Sequence, residues 1–235
     1  MIIEAAFFNM VMTLIRQSSE EPNEERIRGI MLEKIYEQYQ LLFWDKANVF
    51  SQCKYPLGGN KWADLKIVYQ NLHGIEVLGN YDIGHENWME IKYLKDKSEE
   101  DKVKKDILRL CLFINEYQGP TRDKMRYILT VKKQDGSFCK NDTLKKLFTP
   151  GKVKYKFKFN DIYVKIDLYN YIISPSEGET PFNVLKGFSL SKIFCFEIKT
   201  KIDTVDKVFK LKSRMEAEDL EIQRKLISKI DENLS

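Results

Sequence analysis

Asp64, Glu90 and Lys92 stand at spacings that suit chemistry on a phosphodiester. Glu90 and Lys92 lie in a short predicted strand, Trp88-Met89-Glu90-Ile91-Lys92-Tyr93-Leu94. Residues i and i+2 of a strand point to one face, so this carboxylate and ammonium share a pocket while Ile91 faces away. Asp64 opens another predicted strand 26 residues earlier. Two carboxylates from neighbouring strands could bind a hard divalent cation such as Mg²⁺, which prefers oxygen ligands and keeps several waters. The metal would polarise the scissile phosphate and lower the pKa of a bound water. Lys92 would sit beside that water or stabilise the developing negative charge.

The E-x-K string alone does not single out this site, because Glu197-Ile198-Lys199 repeats it and a Glu/Lys pair on one strand face is also an ordinary solvated pair. The surrounding elements separate the two. Glu24 to about Phe43 has apolar residues near helical spacing (Ile27, Ile30, Met31, Ile35, Leu42), with Pro22 and Asn23 at its start. Strands are predicted near Cys53–Leu57, at Leu65–Tyr69, at Ile75–Leu78 and at Trp88–Leu94. A helix follows over Glu99–Tyr117, with Val103, Ile107, Leu110, Cys111 and Ile114 on one face and Gly119-Pro120 as its stop. Met125–Val131 then predicts a strand. Nothing comparable surrounds Glu197-Ile198-Lys199.

The PD-(D/E)XK nuclease superfamily, to which most type II restriction endonucleases belong, has a core of order α-β-β-β-α-β. The region from about residue 24 to 133 can be read in that order, with one strand more between its helices, and together with Ala63-Asp64 and Glu90-Ile91-Lys92 it resembles that superfamily. The proline that often precedes the aspartate is Ala63 here. The resemblance implies an α/β (α+β) fold: a restriction-endonuclease-like core with a central mixed β-sheet flanked by helices. It also implies an endonuclease acting on double-stranded DNA with Mg²⁺, Mn²⁺ being able to substitute, and Asp64 and Glu90 as metal ligands. Arg28-Gly29-Ile30-Met31-Leu32-Glu33 resembles the helix that carries a further glutamate to the metal in such enzymes. That makes Glu33 the expected auxiliary residue, with Glu37 as the alternative and both as exposed helix charges in the plainer reading. Asp82 also precedes Glu90, but by few residues and in a turn-like stretch, so Asp64 is preferred. Another nuclease of the same fold, acting in repair, transposition or on RNA, and a noncatalytic nucleic-acid-binding protein are the other readings.

Hydrophobic residues are 43% of the 235 and aromatic residues 12%, enough for a substantial core and unlike a disordered chain. Cys53, Cys111, Cys139 and Cys195 are widely spaced and only two histidines occur, which argues against a Cys/His metal site and for reduced thiols in a cytoplasmic protein. The apolar run Ile2–Ile15 contains Glu4 and Asn9 and falls short of the ~20 residues that span a bilayer, so it predicts a buried helix and no membrane association.

Net charge is only +4, but nine lysines lie between Lys132 and Lys158 against Asp135 and Asp142. Lys152, Lys154, Lys156 and Lys158 alternate with Val153, Tyr155, Phe157 and Phe159, which on a strand gives a face of four ammonium groups. That face could contact successive phosphates, or could guard an exposed sheet edge against aggregation. Asn141, Asn160, Asn170 and Asn183 are candidates for base contacts. Thr204–Leu234 has the pattern of a long amphipathic C-terminal helix, which packs back or pairs with a second copy; a homodimer suits cutting of both strands. The chain thus divides into a nuclease core with N-terminal helices (1–133) and a basic, β-rich elaboration with the C-terminal helix (134–235), unless the two form one continuous domain.

Overall fold

The structure is a computed structural model that describes residues 2–17, 21–42, 48–55, 62–70, 84–95, 99–112, 124–133, 142–175, 185–202, 205–210, 224–226 and 228. Its two longest helices are set by apolar spacing. In α1 (Ile2–Gln17) the residues Ile3, Phe7, Met10, Val11 and Leu14 recur every three or four positions and are buried. In α2 (Glu24–Leu42) Ile27, Met31 and Ile35 do the same, and Asn23 caps the start, its side-chain Oδ1 accepting from Arg26 N at 2.8 Å.

The strands β1 (Asn48–Lys54), β2 (Trp62–Gln70), β3 (Gly84–Leu94), β4 (Lys124–Lys133), β5 (Gly151–Phe159), β6 (Ile162–Ile173), β7 (Leu185–Ile202) and β8 (Val205–Lys210) form one sheet. Its order is β1-β2-β3-β4-β7-β6-β5, with β8 also on β7. Among these pairs β3 and β4 alone run parallel, and α3 (Glu100–Leu112) makes the crossover that a parallel pair needs. Among the described residues the elements therefore follow the order α2-β1-β2-β3-α3-β4, with β1 at Asn48–Lys54 and not near Cys53–Leu57 as expected from the sequence. The strand expected at Ile75–Leu78 lies outside the described residues. The strands of the 134–235 segment extend this same sheet.

Helices cover both faces. α1 and α2 pack on Leu65, Ile67, Met89, Ile91, Tyr127, Leu129, Phe188 and Leu190. α3 and the short α4 (Asp142–Leu147) pack on Trp88, Leu94, Ile128, Tyr155, Ile166 and Ile193. This mixed sheet between helices is α+β.

The C-terminal expectation needs correction. Val205–Lys210 are a strand antiparallel to β7, with Glu197 opposite Lys210 and Ile202 opposite Val205. β7 outruns β4, whose pairing ends at Ile193, so the Glu197–Ile202 edge would otherwise present bare N–H and C=O groups. Satisfying that ladder outweighs the helical spacing of Val205, Val208 and Phe209. Residues 224–226 are helical and Leu226 is buried against the α3 side; most of the remaining segment lies outside the described residues.

Candidate active site

β2 and β3 part where the site forms. Their registered pairing ends with Leu65 opposite Met89, so Asp64 and Glu90 are the first residues past the fork. β1 and β2 are coiled there. Val49 of β1 packs with the α2 side, whereas Cys53 of β1 and Tyr55 just beyond its end, of the same parity, pack with the α3 side. A regular strand keeps every second residue on one face, and the switch falls at Gln52, held at φ 50°. Ala63 makes the same change relative to Leu65 on β2. This coiling turns Tyr55 under β3, where its ring stacks on Trp88 with centroids 5.4 Å apart.

Past the fork, β3 has backbone donors that β2 no longer meets, and acidic side chains take them. Asp64 Oδ2 accepts from Ile91 N at 2.7 Å, and Glu24 Oε1 from Tyr93 N at 3.4 Å. Asp64 Oδ1 also accepts from Arg28 Nη1 at 3.1 Å. Glu90 is buried and takes a short hydrogen bond from the Tyr55 hydroxyl. The Lys92 ammonium lies 3.2 Å from Asp106 Oδ2 and 3.6 Å from Glu24 Oε2, while Asp106 Oδ1 accepts from Arg109 Nη1 at 3.0 Å.

Several carboxylates around one lysine set the protonation of the cluster. Burial raises the pKa of Glu90 well above the ordinary carboxyl range, and Asp106 and Asp64 add to it. Burial also raises Asp106, against the pull of Lys92 and Arg109. For Lys92 burial favours the neutral amine, but Asp106, Glu24 and Glu90 outweigh it, so it stays an ammonium. Tyr55, raised by burial and by Glu90, remains a hydroxyl that donates.

The fork thus brings together Asp64, Glu90 and Lys92. It does not include Glu33, which points away from the sheet with Glu37 and shares the Lys34 ammonium with it at 3.1 and 2.7 Å. Helical geometry explains this: Glu24, Arg28, Met31 and Ile35 recur every three or four residues along the face toward the sheet, and Glu33 lies off that row. Glu24 is the α2 carboxylate at the site. Asp82 lies outside the described residues. Glu197 of the second E-x-K string sits in a surface ladder on β7, 3.0 Å from Lys165 and 3.5 Å from Lys199.

Lys152, Lys154, Lys156 and Lys158 are exposed along β5, the edge strand, as their alternation requires. Val153, Tyr155 and Phe157 pack on the α3 side with Trp88, so the lysine row faces the opposite way from Glu90. Four strand spacings, roughly 19 Å, separate β5 from β3. Asn170 is not a base contact: it is buried and donates to Lys146 O and Thr149 O at 2.8 and 2.7 Å, closing the end of α4. Asn160 forms the exposed β5–β6 turn at φ 50°; Asn141 and Asn183 lie outside the described residues.

Sequence reasoning missed Glu24, Arg28, Tyr55 and Asp106. Asp106 left a signal, a carboxylate inside the apolar stripe of α3. Tyr55 left none, because its placement depends on the coil at Gln52.

Among the described residues no group of three or more His, Cys, Asp or Glu side chains is gathered to hold a metal ion. Asp64 and Glu90 nonetheless fit Mg²⁺ in donor chemistry, since that ion is commonly held by one or two carboxylates with water and substrate phosphate completing its shell. Loading would require Asp64 to exchange the Arg28 guanidinium for the ion, and the raised pKa of Glu90 means that a proton competes with the metal there. No family model, curated protein or solved structure matches this chain. Among the described residues no helix is long and apolar enough to cross a membrane.

Proposed function

We propose that the chain is a Mg²⁺-dependent endonuclease that hydrolyses phosphodiester bonds of double-stranded DNA, with a restriction-endonuclease-like core and most similar in role to type II restriction enzymes. The observation that carries this reading is the fork between β2 and β3, which gathers Asp64, Glu90 and Lys92 at the open end of a parallel-crossover sheet. Asp64 and Glu90 would hold the metal; Mn²⁺ has the same preference for oxygen ligands. The bound metal supplies Lewis acidity and a more acidic water. Lys92 keeps its positive charge among carboxylates, which suits stabilising the negative charge that develops on the phosphate. Tyr55 fixes the Glu90 carboxyl, and Asp64 is fixed by Ile91 N.

Cleavage of both strands is served by a second copy, so the working form in this reading is a homodimer in the cytoplasm. Long duplex DNA incubated with Mg²⁺ should yield discrete fragments, and Lys92→Ala, checked for folding, should yield none. Cutting confined to flaps, mismatches or RNA would move the assignment to a repair or RNA nuclease of the same fold. The exposed lysine row supports one other reading, a noncatalytic nucleic-acid-binding protein. Salt-sensitive binding without cleavage under any metal would favour it.

A further inference from the structure

Asp106 is an acid placed within an apolar helix stripe. Val103, Ile107, Leu110 and Cys111 of α3 are buried around it, and Asp106 itself is 3% exposed. An ionised carboxylate in such surroundings is costly unless it is paired. Arg109, one helical turn on, already supplies a countercharge to Oδ1 at 3.0 Å. The other oxygen, Oδ2, makes no hydrogen bond of good geometry and is turned toward Lys92 Nζ at 3.2 Å. Were Asp106 only a neutralised helix charge, Arg109 would suffice and Oδ2 would have no reason to face β3.

The pairing matters for Lys92. A lysine carries its charge on a flexible four-carbon stem, so a lysine on an open strand end samples many positions. At this fork β3 has parted from β2, and among the described residues Asp106 and Glu24 are the acids within ion-pair distance of the ammonium. Asp106 is seated in a packed helix, whereas the Glu24 side chain is 41% exposed.

We propose that Asp106 is a positioning residue that holds the Lys92 ammonium beside the Asp64–Glu90 carboxylate pair. This rests on the reading of the fork as a cleavage centre. The tether itself can be judged without any activity, by thermal unfolding of Asp106→Asn, Lys92→Met and the double variant in metal-free buffer. A tether predicts non-additive losses, the double variant melting no lower than the weaker single; additive losses overturn it.

Its role in cleavage is read from single-turnover rates on duplex DNA, with binding measured separately without metal. Asp106→Asn should cut at least tenfold more slowly with Kd within twofold, and Arg109→Ala, which leaves Lys92 its partner, should cut within threefold of wild type. Equal losses in the two variants would mean that Asp106 only stabilises α3, and cleavage at the wild-type rate by folded Asp106→Asn would overturn the proposal. Should Asp106→Asn not fold, Asp106→Glu takes its place, because it keeps the charge but displaces it by one methylene, and the same rate criterion applies. If the wild-type protein cuts no nucleic acid, the endonuclease reading falls while the unfolding cycle still decides the tether.

Discussion

Replacing Glu90 with glutamine should stabilise the metal-free protein, and increasingly so as pH rises. Glu90 has its pKa raised well above its ordinary 4.5, first by burial and then by the charges of Asp106 and Asp64. Between 4.5 and the raised value, the folded chain holds a proton that the unfolded chain has released. Below that window both states are protonated and the full stability is present; across it, stability falls as pH rises, by about 1.4 kcal/mol per pH unit. Glutamine has nearly the same shape, accepts the Tyr55 hydroxyl and never ionises, so it removes this slope. For a chain of this length each kcal/mol moves Tm by about 2–4 °C. The melting curves of Glu90→Gln and wild type should therefore separate by about 3–6 °C per pH unit within the window. Thermal unfolding by circular dichroism in EDTA, at half-unit steps from about pH 5 to 8, measures this directly. Parallel pH profiles would show that Glu90 is not buried among carboxylates at the fork, and a gap that widens toward acid would reverse the linkage altogether.

The remaining expectations concern neighbouring residues. Glu33→Ala should leave cleavage within twofold of wild type, whereas Glu24→Ala should slow it, because Glu24 and not Glu33 reaches Lys92; single-turnover rates separate the two. Tyr55→Phe removes the donor to buried Glu90 and should cost about 1–3 kcal/mol of stability in chemical unfolding. Converting Lys152, Lys154, Lys156 and Lys158 together to serine should reduce the slope of log affinity against log salt by about 0.9 for each phosphate that these lysines neutralise in the wild type. An unchanged slope would leave the row as protection of the exposed edge of β5.

Local sequence signals reached the elements of the core but not their mutual placement. The spacing of Ile27, Met31 and Ile35 and of Val103, Ile107 and Leu110 gave α2 and α3 their type and buried faces, because amphipathic helices carry their orientation in their own periodicity; the expected end of α3 at Tyr117 lies outside the described residues. The Lys152–Phe159 alternation likewise matched β5 residue by residue. Glu33 falls away from the fork because proximity on a helix depends on rotation about its axis, and Glu24 and Arg28 lie on the row that faces the sheet. β8 was read as helix because its pairing is with an edge left by the length of β7, a non-local fact. Tyr55 could not be placed without the switch of faces at Gln52, which has no sequence signature. The lysine row was legible as a face, yet which side of the sheet that face occupies required the packing of Val153, Tyr155 and Phe157 with Trp88.

Incubation of supercoiled and linear duplex DNA with the wild-type protein over a Mg²⁺ series, beside Asp64→Asn and Lys92→Ala proteins shown to be folded, tests the central assignment most directly. Metal-dependent strand scission by wild type that both substitutions reduce by at least a hundredfold is the predicted result. Scission that survives both substitutions, or none by wild type with Mg²⁺ or Mn²⁺, would contradict the placement of a cleavage centre at the β2–β3 fork.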